Sequence, residues 1–493
     1  MSGKVFLIGA GPSDAGLLTC KAKEILQSAD VVVYDALVGE AILAMVPPEA
    51  ECINVGKRAR NHTRSQWQIN EILLEEAQKG KRVVRLKGGD PFLFGRGGEE
   101  LELLAQNNIP FEIVPGITSA IAVPAYNGIP VTHRDFCSSL HIITAHKKAD
   151  EPLDIDFDAL VRTKGTLVLL MGVTALPAIC QGLLDAGMEP YMPAAVLHRG
   201  TSARQKRVVA TVATLPQAAA QMEAPSIIVV GKVCALSQEF AWAEQRPLFG
   251  NRYLVTRPRE RAGVLASRLR DLGGEVVEFP TIELHAMDGV SLDGLDDSTW
   301  LVLTSPSGVK IFFDLLKQQH KDVRSLAHLK VAALGSATAK ELEQHGILAD
   351  LTPATYDARN LGVALAAKLQ PGDKVFIARA KQGSPELTEQ LNSVPWADVL
   401  DVATYETVLT RPAILEPLEL LDGRTWAVFT SASTVRGFAA AAGTEDLSQV
   451  NALCIGKQTE EQAKQYGMTT KTAAAATMDA LVELALACAK EEH

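Results

Sequence analysis

Short apolar runs bounded by glycine alternate with stretches of helical periodicity along the chain. Lys4 to Ile8, Val31 to Tyr34, Arg82 to Leu86, Leu167 to Met171 and Ile227 to Val230 read as buried strands. Strands separated by helices predict an α/β fold. The pattern lapses over residues 238–250 and restarts as a strand at Arg252 to Thr256. A first domain is therefore expected over residues 1–240, a linker over 241–250 and a second domain over 251–493.

The second domain repeats itself at a spacing of about 120 residues. Leu254-Val255-Thr256-Arg257 returns as Phe376-Ile377-Ala378-Arg379, and Val302-Leu303-Thr304-Ser305 returns as Val428-Phe429-Thr430-Ser431. Ala333-Leu334-Gly335-Ser336 returns as Leu453-Cys454-Ile455-Gly456, each followed by a helix ending at glycine (Gly346, Gly467). Two similar lobes follow. The alternating segments Glu275 to Leu284 and Val399 to Val408 occupy matching places in the two copies and are expected to cross between lobes. One lobe then comprises residues 251–283 with 409–493, and the other residues 284–408.

A length of 493 residues exceeds what one hydrophobic core usually supports, in keeping with several domains. At 47% hydrophobic and 22% charged residues the composition is globular, and no apolar run approaches the roughly 18 residues of a membrane span. The amino terminus does not read as a signal peptide, since one cation leads directly into a strand. Seven scattered cysteines without a Cys-x-x-Cys pair fit neither a disulfide framework nor a zinc site. A net charge of -10 argues against nucleic-acid binding. The expectation is a cytoplasmic protein with no membrane or nucleic-acid partner and no metal.

The first strand ends in Gly9-Ala10-Gly11-Pro12-Ser13-Asp14, which begins like a dinucleotide fingerprint but lacks the third glycine. Proline and aspartate spoil the close pyrophosphate approach, which disfavours a nicotinamide enzyme. By itself the loop is a strand-to-helix turn capped by Asp14. Two further small-residue loops follow strands, Lys87-Gly88-Gly89-Asp90-Pro91 through Gly98 and Val114-Pro115-Gly116-Ile117-Thr118-Ser119-Ala120. Three such loops predict a shared ligand site at the strand ends.

These motifs, with Val55-Gly56-Lys57-Arg58-Ala59 and Gly128-Ile129-Pro130-Val131-Thr132-His133-Arg134-Asp135, resemble uroporphyrinogen-III C-methyltransferase of the tetrapyrrole methylase family, over Val5 to about Val233. The resemblance implies two α/β subdomains around a cleft, a homodimer, and methyl transfer from S-adenosylmethionine to C2 and C7 of uroporphyrinogen III, giving precorrin-2. It carries over Pro12, Gly88, Gly89, Asp90, Leu93, Thr118, Ser119, Met171 and Gly200 as cofactor contacts. Asp35 matches the family's proton acceptor and Lys57 its proton donor; without the resemblance they read as a helix cap and a surface cation. Ser13 stands where the family commonly has glycine, which is expected to alter affinity more than activity. Another precorrin methyltransferase is the alternative.

Between Lys57 and Arg96 ten Lys or Arg face four acids, a local excess of six positive charges in an acidic chain. An octacarboxylate substrate calls for arginines that grip carboxylates bidentately, so Arg58, Arg60, Arg64 and Arg134 are candidate substrate contacts.

From Arg252 onward, Val255-Thr256-Arg257-Pro258, Thr304-Ser305-Pro306-Ser307-Gly308-Val309, Ala403-Thr404-Tyr405-Glu406-Thr407 and Thr430-Ser431-Ala432-Ser433 resemble uroporphyrinogen-III synthase. The resemblance implies two flavodoxin-like α/β lobes that cyclise hydroxymethylbilane with inversion of ring D and loss of water, without a cofactor. Tyr405 is then the expected acid aiding departure of the hydroxyl. Ser305, Thr338, Ser431 and Thr459 fall near helix starts, where they cap helices and, with free amides, are candidate contacts for substrate carboxylates. A non-catalytic sensor of two lobes is the alternative.

Overall fold

Near-continuous apolar strands need cover on both faces, and parallel sheets flanked by helices supply it. β1 (Lys4–Gly9), β2 (Val31–Tyr34), β3 (Glu51–Asn54), β4 (Arg82–Lys87) and β5 (Phe111–Val114) form such a sheet in the order β3-β2-β4-β1-β5, all parallel. Every residue of β2 is buried. The computed structural model describes residues 3–56, 64–145 and 153–491.

A mixed sheet follows: β6 (Leu140–Thr144), β7 (Thr166–Leu170), β8 (Pro193–His198), β9 (Lys206–Thr211) and β10 (Ser226–Val230), ordered β6-β7-β10-β8-β9. Only β6 and β7 run parallel. β8 and β9 are joined by the short loop 199–205, too short for a crossover, so they must be antiparallel.

β11 (Arg252–Val255) and β12 (Glu275–Glu278) open a third sheet. The chain then builds a fourth from β13 (Ile282–Ala286), β14 (Trp300–Leu303), β15 (Lys330–Ala333), β16 (Lys374–Ala380) and β17 (Asp398–Leu409), in the order β13-β17-β16-β14-β15. It returns to the third with β18 (Thr425–Phe429), β19 (Asn451–Cys454) and β20 (Thr469–Thr472), giving β12-β11-β18-β19-β20. The repeated motifs take equivalent sheet positions. β11 matches β16, β18 matches β14 and β19 matches β15, so the two copies of each motif lie in different sheets.

Two compact units result, residues 1–281 with 411–493, and residues 282–410. In the larger unit Phe6, Ile8, Val32 and Ile42 share one apolar core with Leu254, Val277, Phe279 and Phe438. The segment expected as a linker, 241–250, is packed. Ala241, Ala243 and Leu248 are buried, and Trp242 Nε1 donates to the Ala125 carbonyl at 2.9 Å. No helix among the described residues is long and apolar enough to cross a membrane.

Candidate functional site

The loops after β1, β2, β4, β7 and β8 line one cavity of about 650 Å³. Glycine permits their approach. A Cβ on Gly9 would lie 2.5 Å from Gly116 Cα, and one on Gly116 would lie 2.3 Å from the Gly89 carbonyl oxygen. Gly11 and Gly89, at φ +72° and +69°, exchange two backbone hydrogen bonds of 3.1 and 2.8 Å. The first two small-residue loops are thus one tied structure.

Pro12, Gly88, Gly89, Leu93, Ser119, Met171 and Gly200 all line this cavity. Asp90 and Thr118, expected beside them as cofactor contacts, are not among the lining residues. Asp90 accepts from the amides of Phe92 (2.9 Å), Leu93 (3.1 Å) and Gly116 (3.0 Å), joining the second loop to the third. Thr118 caps the helix Ser119–Tyr126. Asp14 does cap the short turn after β1, and its second oxygen accepts from Tyr126 Oη at 2.7 Å.

Strain gathers around the cavity. Ser13 has φ 121°, Met171 φ 58°, and in loop 199–205 Arg199 and Thr201 have φ 43° and 70°. Such backbone costs of order 1–3 kcal/mol per residue and persists only where surroundings over-determine it. Thr201 is held by donating its Oγ1 to the Pro12 carbonyl at 2.8 Å.

A buried ionic cluster lies beneath the loop after β2. Arg85 Nη2 donates to Asp35 Oδ1 at 2.7 Å, and Arg85 Nε to Glu100 Oε1 at 3.1 Å. Lys87 Nζ donates to the same Glu100 oxygen at 2.7 Å and stands 3.9 Å from Asp35 Oδ2. Burial, reinforced by Arg85, pulls the Lys87 ammonium below its usual range. Glu100 is fully buried, with Oε2 lacking a hydrogen-bond partner. Asp35 caps no helix: the following helix, Glu40–Leu43, begins after Gly39. Sequence reasoning missed Glu100, although the signal was present. In the helix Gly97–Gln106 the buried stripe is Gly97, Glu100, Leu101 and Leu104, so an acid occupies a core-facing position.

Lys57, Arg58 and Arg60 lie outside the described residues. Arg64 and Arg134 are exposed, Arg134 in the turn between His133 and Cys137. Much of the local positive excess is consumed internally. Lys79 and Lys81 pair with Glu76, Arg96 with Glu99, and Arg85 and Lys87 with Glu100.

In residues 282–410 Tyr405 is 5% exposed and its hydroxyl lies 2.8 Å from Ser305 Oγ. Ser305 also caps the helix Pro306–Gln318 by accepting from the Gly308 amide at 2.9 Å. In the larger unit Ser431 caps Ala432–Ala442 in the same way, with Thr434 completing a capping box. Thr338 and Thr459 do not cap. Gly335 and Gly456 hold those positions, and both threonines, each 3% exposed, sit inside the first turn. Burial leaves them little surface for a substrate. Glycine supplies the extended cap at both positions.

Comparison with known proteins matches two families in succession along the chain. A family model described as Tetrapyrrole (Corrin/Porphyrin) Methylases matches residues 4–216, and one described as Uroporphyrinogen-III synthase HemD matches residues 263–483. The porphyrin biosynthesis protein HemD of Ruminiclostridium josui is 45% identical, over 98% of this chain and 97% of its own length. The uroporphyrinogen-III C-methyltransferase of Bacillus subtilis is 41% identical, over 70% of this chain and 72% of its own. The crystal structure of uroporphyrin-III C-methyltransferase from Thermus thermophilus complexed with S-adenyl homocysteine is 36% identical, covering 47% of this chain and 99% of that one, with TM-score 0.42.

Proposed function

The chain belongs to the tetrapyrrole methylases through its N-terminal half and to the uroporphyrinogen-III synthases through its C-terminal half, and from that premise we propose two consecutive reactions. The C-terminal half closes hydroxymethylbilane to uroporphyrinogen III, with ring D inverted and water lost. The N-terminal half methylates that product at C2 and C7 to give precorrin-2, acting in the cytoplasm as a homodimer. The observation that carries this reading is the cavity walled by Pro12, Gly88, Gly89, Ser119, Met171 and Gly200.

Glycine backbone lining the cavity beside Leu37, Leu93, Val123, Leu170 and Ile227 suits a ligand that is part polar and part apolar, such as an adenosine carrying a methionine chain. S-adenosylmethionine, when bound, supplies an electrophilic methyl on sulfonium sulfur. The protein's part is to hold an electron-rich ring carbon in line and to manage a proton. Asp35 would take the proton that the macrocycle gives up on methylation. Arg85 fixes Oδ1, which leaves Oδ2 to accept it. In the synthase half Tyr405 donates a proton to the departing hydroxyl, and Ser305 Oγ orients the phenol.

The test is product analysis with the full chain. Hydroxymethylbilane alone should yield the inverted isomer; only the symmetric isomer would make the C-terminal half a binding module. Uroporphyrinogen III with S-adenosylmethionine should gain two methyl groups by mass. One methyl or none would assign the N-terminal half to another reaction.

A further inference from the structure

Loop 199–205, which carries Gly200 into the methyl-donor cavity, is held partly by the synthase half. The Ala203 amide donates to Glu275 Oε2 at 2.7 Å, and Arg204 Nε donates to Asp422 Oδ2 at 3.0 Å. Glu275 begins β12, and Asp422 precedes β18. The other Glu275 oxygen is gripped by Arg252, through Nε at 3.1 Å and Nη2 at 2.8 Å. Arg252 is buried, lies 3.6 Å from Glu40 of the methyltransferase half, and itself lines the cavity together with Glu40. The chain that closes the cavity therefore comes from both halves.

A loop with two non-glycine residues at positive φ does not hold that shape unaided. From its own half it is fixed by Thr201 on the Pro12 carbonyl, and the Thr201 amide donates to Gln205 Oε1 at 3.0 Å. Across the domain junction it is fixed at Ala203 and Arg204. We propose that Glu275, and secondarily Asp422, are positioning residues for the methyltransferase. The synthase lobe holds the donor loop in its binding shape, so methyl-donor affinity depends on residues that belong to the other enzyme. This rests on the assignment of the cavity to S-adenosylmethionine.

The test compares the full-length parent with Glu275→Ala and Asp422→Asn, reading S-adenosylhomocysteine affinity by calorimetry, methyl-transfer kinetics, synthase turnover and melting temperature. Loss of a charge-assisted bond to the loop should weaken donor binding about tenfold in Glu275→Ala and about threefold in the more exposed Asp422→Asn. The Michaelis constant for the donor should rise by the same factors, with kcat at saturating donor and synthase turnover within about twofold of the parent. A merely structural role would lower kcat and melting temperature together. Should Glu275→Ala fail to fold, Asp422→Asn decides, because it removes only a half-exposed ion pair. Parent-like donor affinity in a folded variant overturns the inference. Failure of the parent itself to bind S-adenosylhomocysteine would instead overturn the assignment of the cavity.

Discussion

Replacing Glu100 by alanine tests whether the ionic cluster under the loop after β2 is a structural necessity. The carboxylate is fully buried and accepts at one oxygen from Arg85 (3.1 Å), Lys87 (2.7 Å) and Gln66 (3.2 Å). A unit-charge pair about 3 Å apart is worth roughly 5 kcal/mol at an effective dielectric constant near 20. Relief of the buried carboxylate's own desolvation, and the remaining Asp35 charge, offset part of that loss. Removing one partner of such a buried cluster costs about 3–5 kcal/mol net. Glu100→Gln keeps an acceptor and should cost less. The pH dependence has a definite sign. Lys87 already titrates below the 10.5 of an ordinary lysine, and loss of Glu100 lowers it further. Between its folded value and 10.5 the unfolded chain binds more protons, so the variant gains stability as pH rises and its deficit against the parent shrinks. Urea unfolding of the full chain at pH 7 and 9.5 measures both. A loss below about 1 kcal/mol at pH 7, or a deficit that grows with pH, would refute the reasoning.

Asp35→Asn should reduce methyl incorporation at least about 100-fold while leaving S-adenosylhomocysteine binding intact; an active variant would remove Asp35 as the base. Ser13→Gly relieves the φ of 121° and should raise stability by about 1 kcal/mol, seen as a higher melting temperature of the full chain. Tyr405→Phe breaks the 2.8 Å contact with Ser305 and should abolish inverted ring closure, while methylation of supplied uroporphyrinogen III continues at the parent rate. At pH 8 an aromatic disulfide reagent should label exposed Cys20 quickly in the native protein. It should reach buried Cys180 and Cys454, whose thiols burial pushes up to about 11 and about 12, only after unfolding.

Local pattern carried much of this protein. The apolar runs from Lys4, Val31, Arg82 and Ile227 became β1, β2, β4 and β10, because an unbroken apolar stretch between glycines has few ways to bury itself except as an internal strand. The 120-residue repeat announced two similar sheets, since equal sequences seek equal sheet positions. Serines 305 and 431 read as caps and are caps, as this is a choice made within one turn. What sequence alone did not reach depends on contacts distant along the chain. Nothing in its neighbours tells that Asp90 serves the Gly116 amide, or that Arg85 joins Asp35 to Glu100. The binding of Ala203 to Glu275, 72 positions away, is likewise a product of the junction between two halves. Periodicity fixes which residues are buried within an element; only tertiary packing pairs a buried charge or a free amide with its partner.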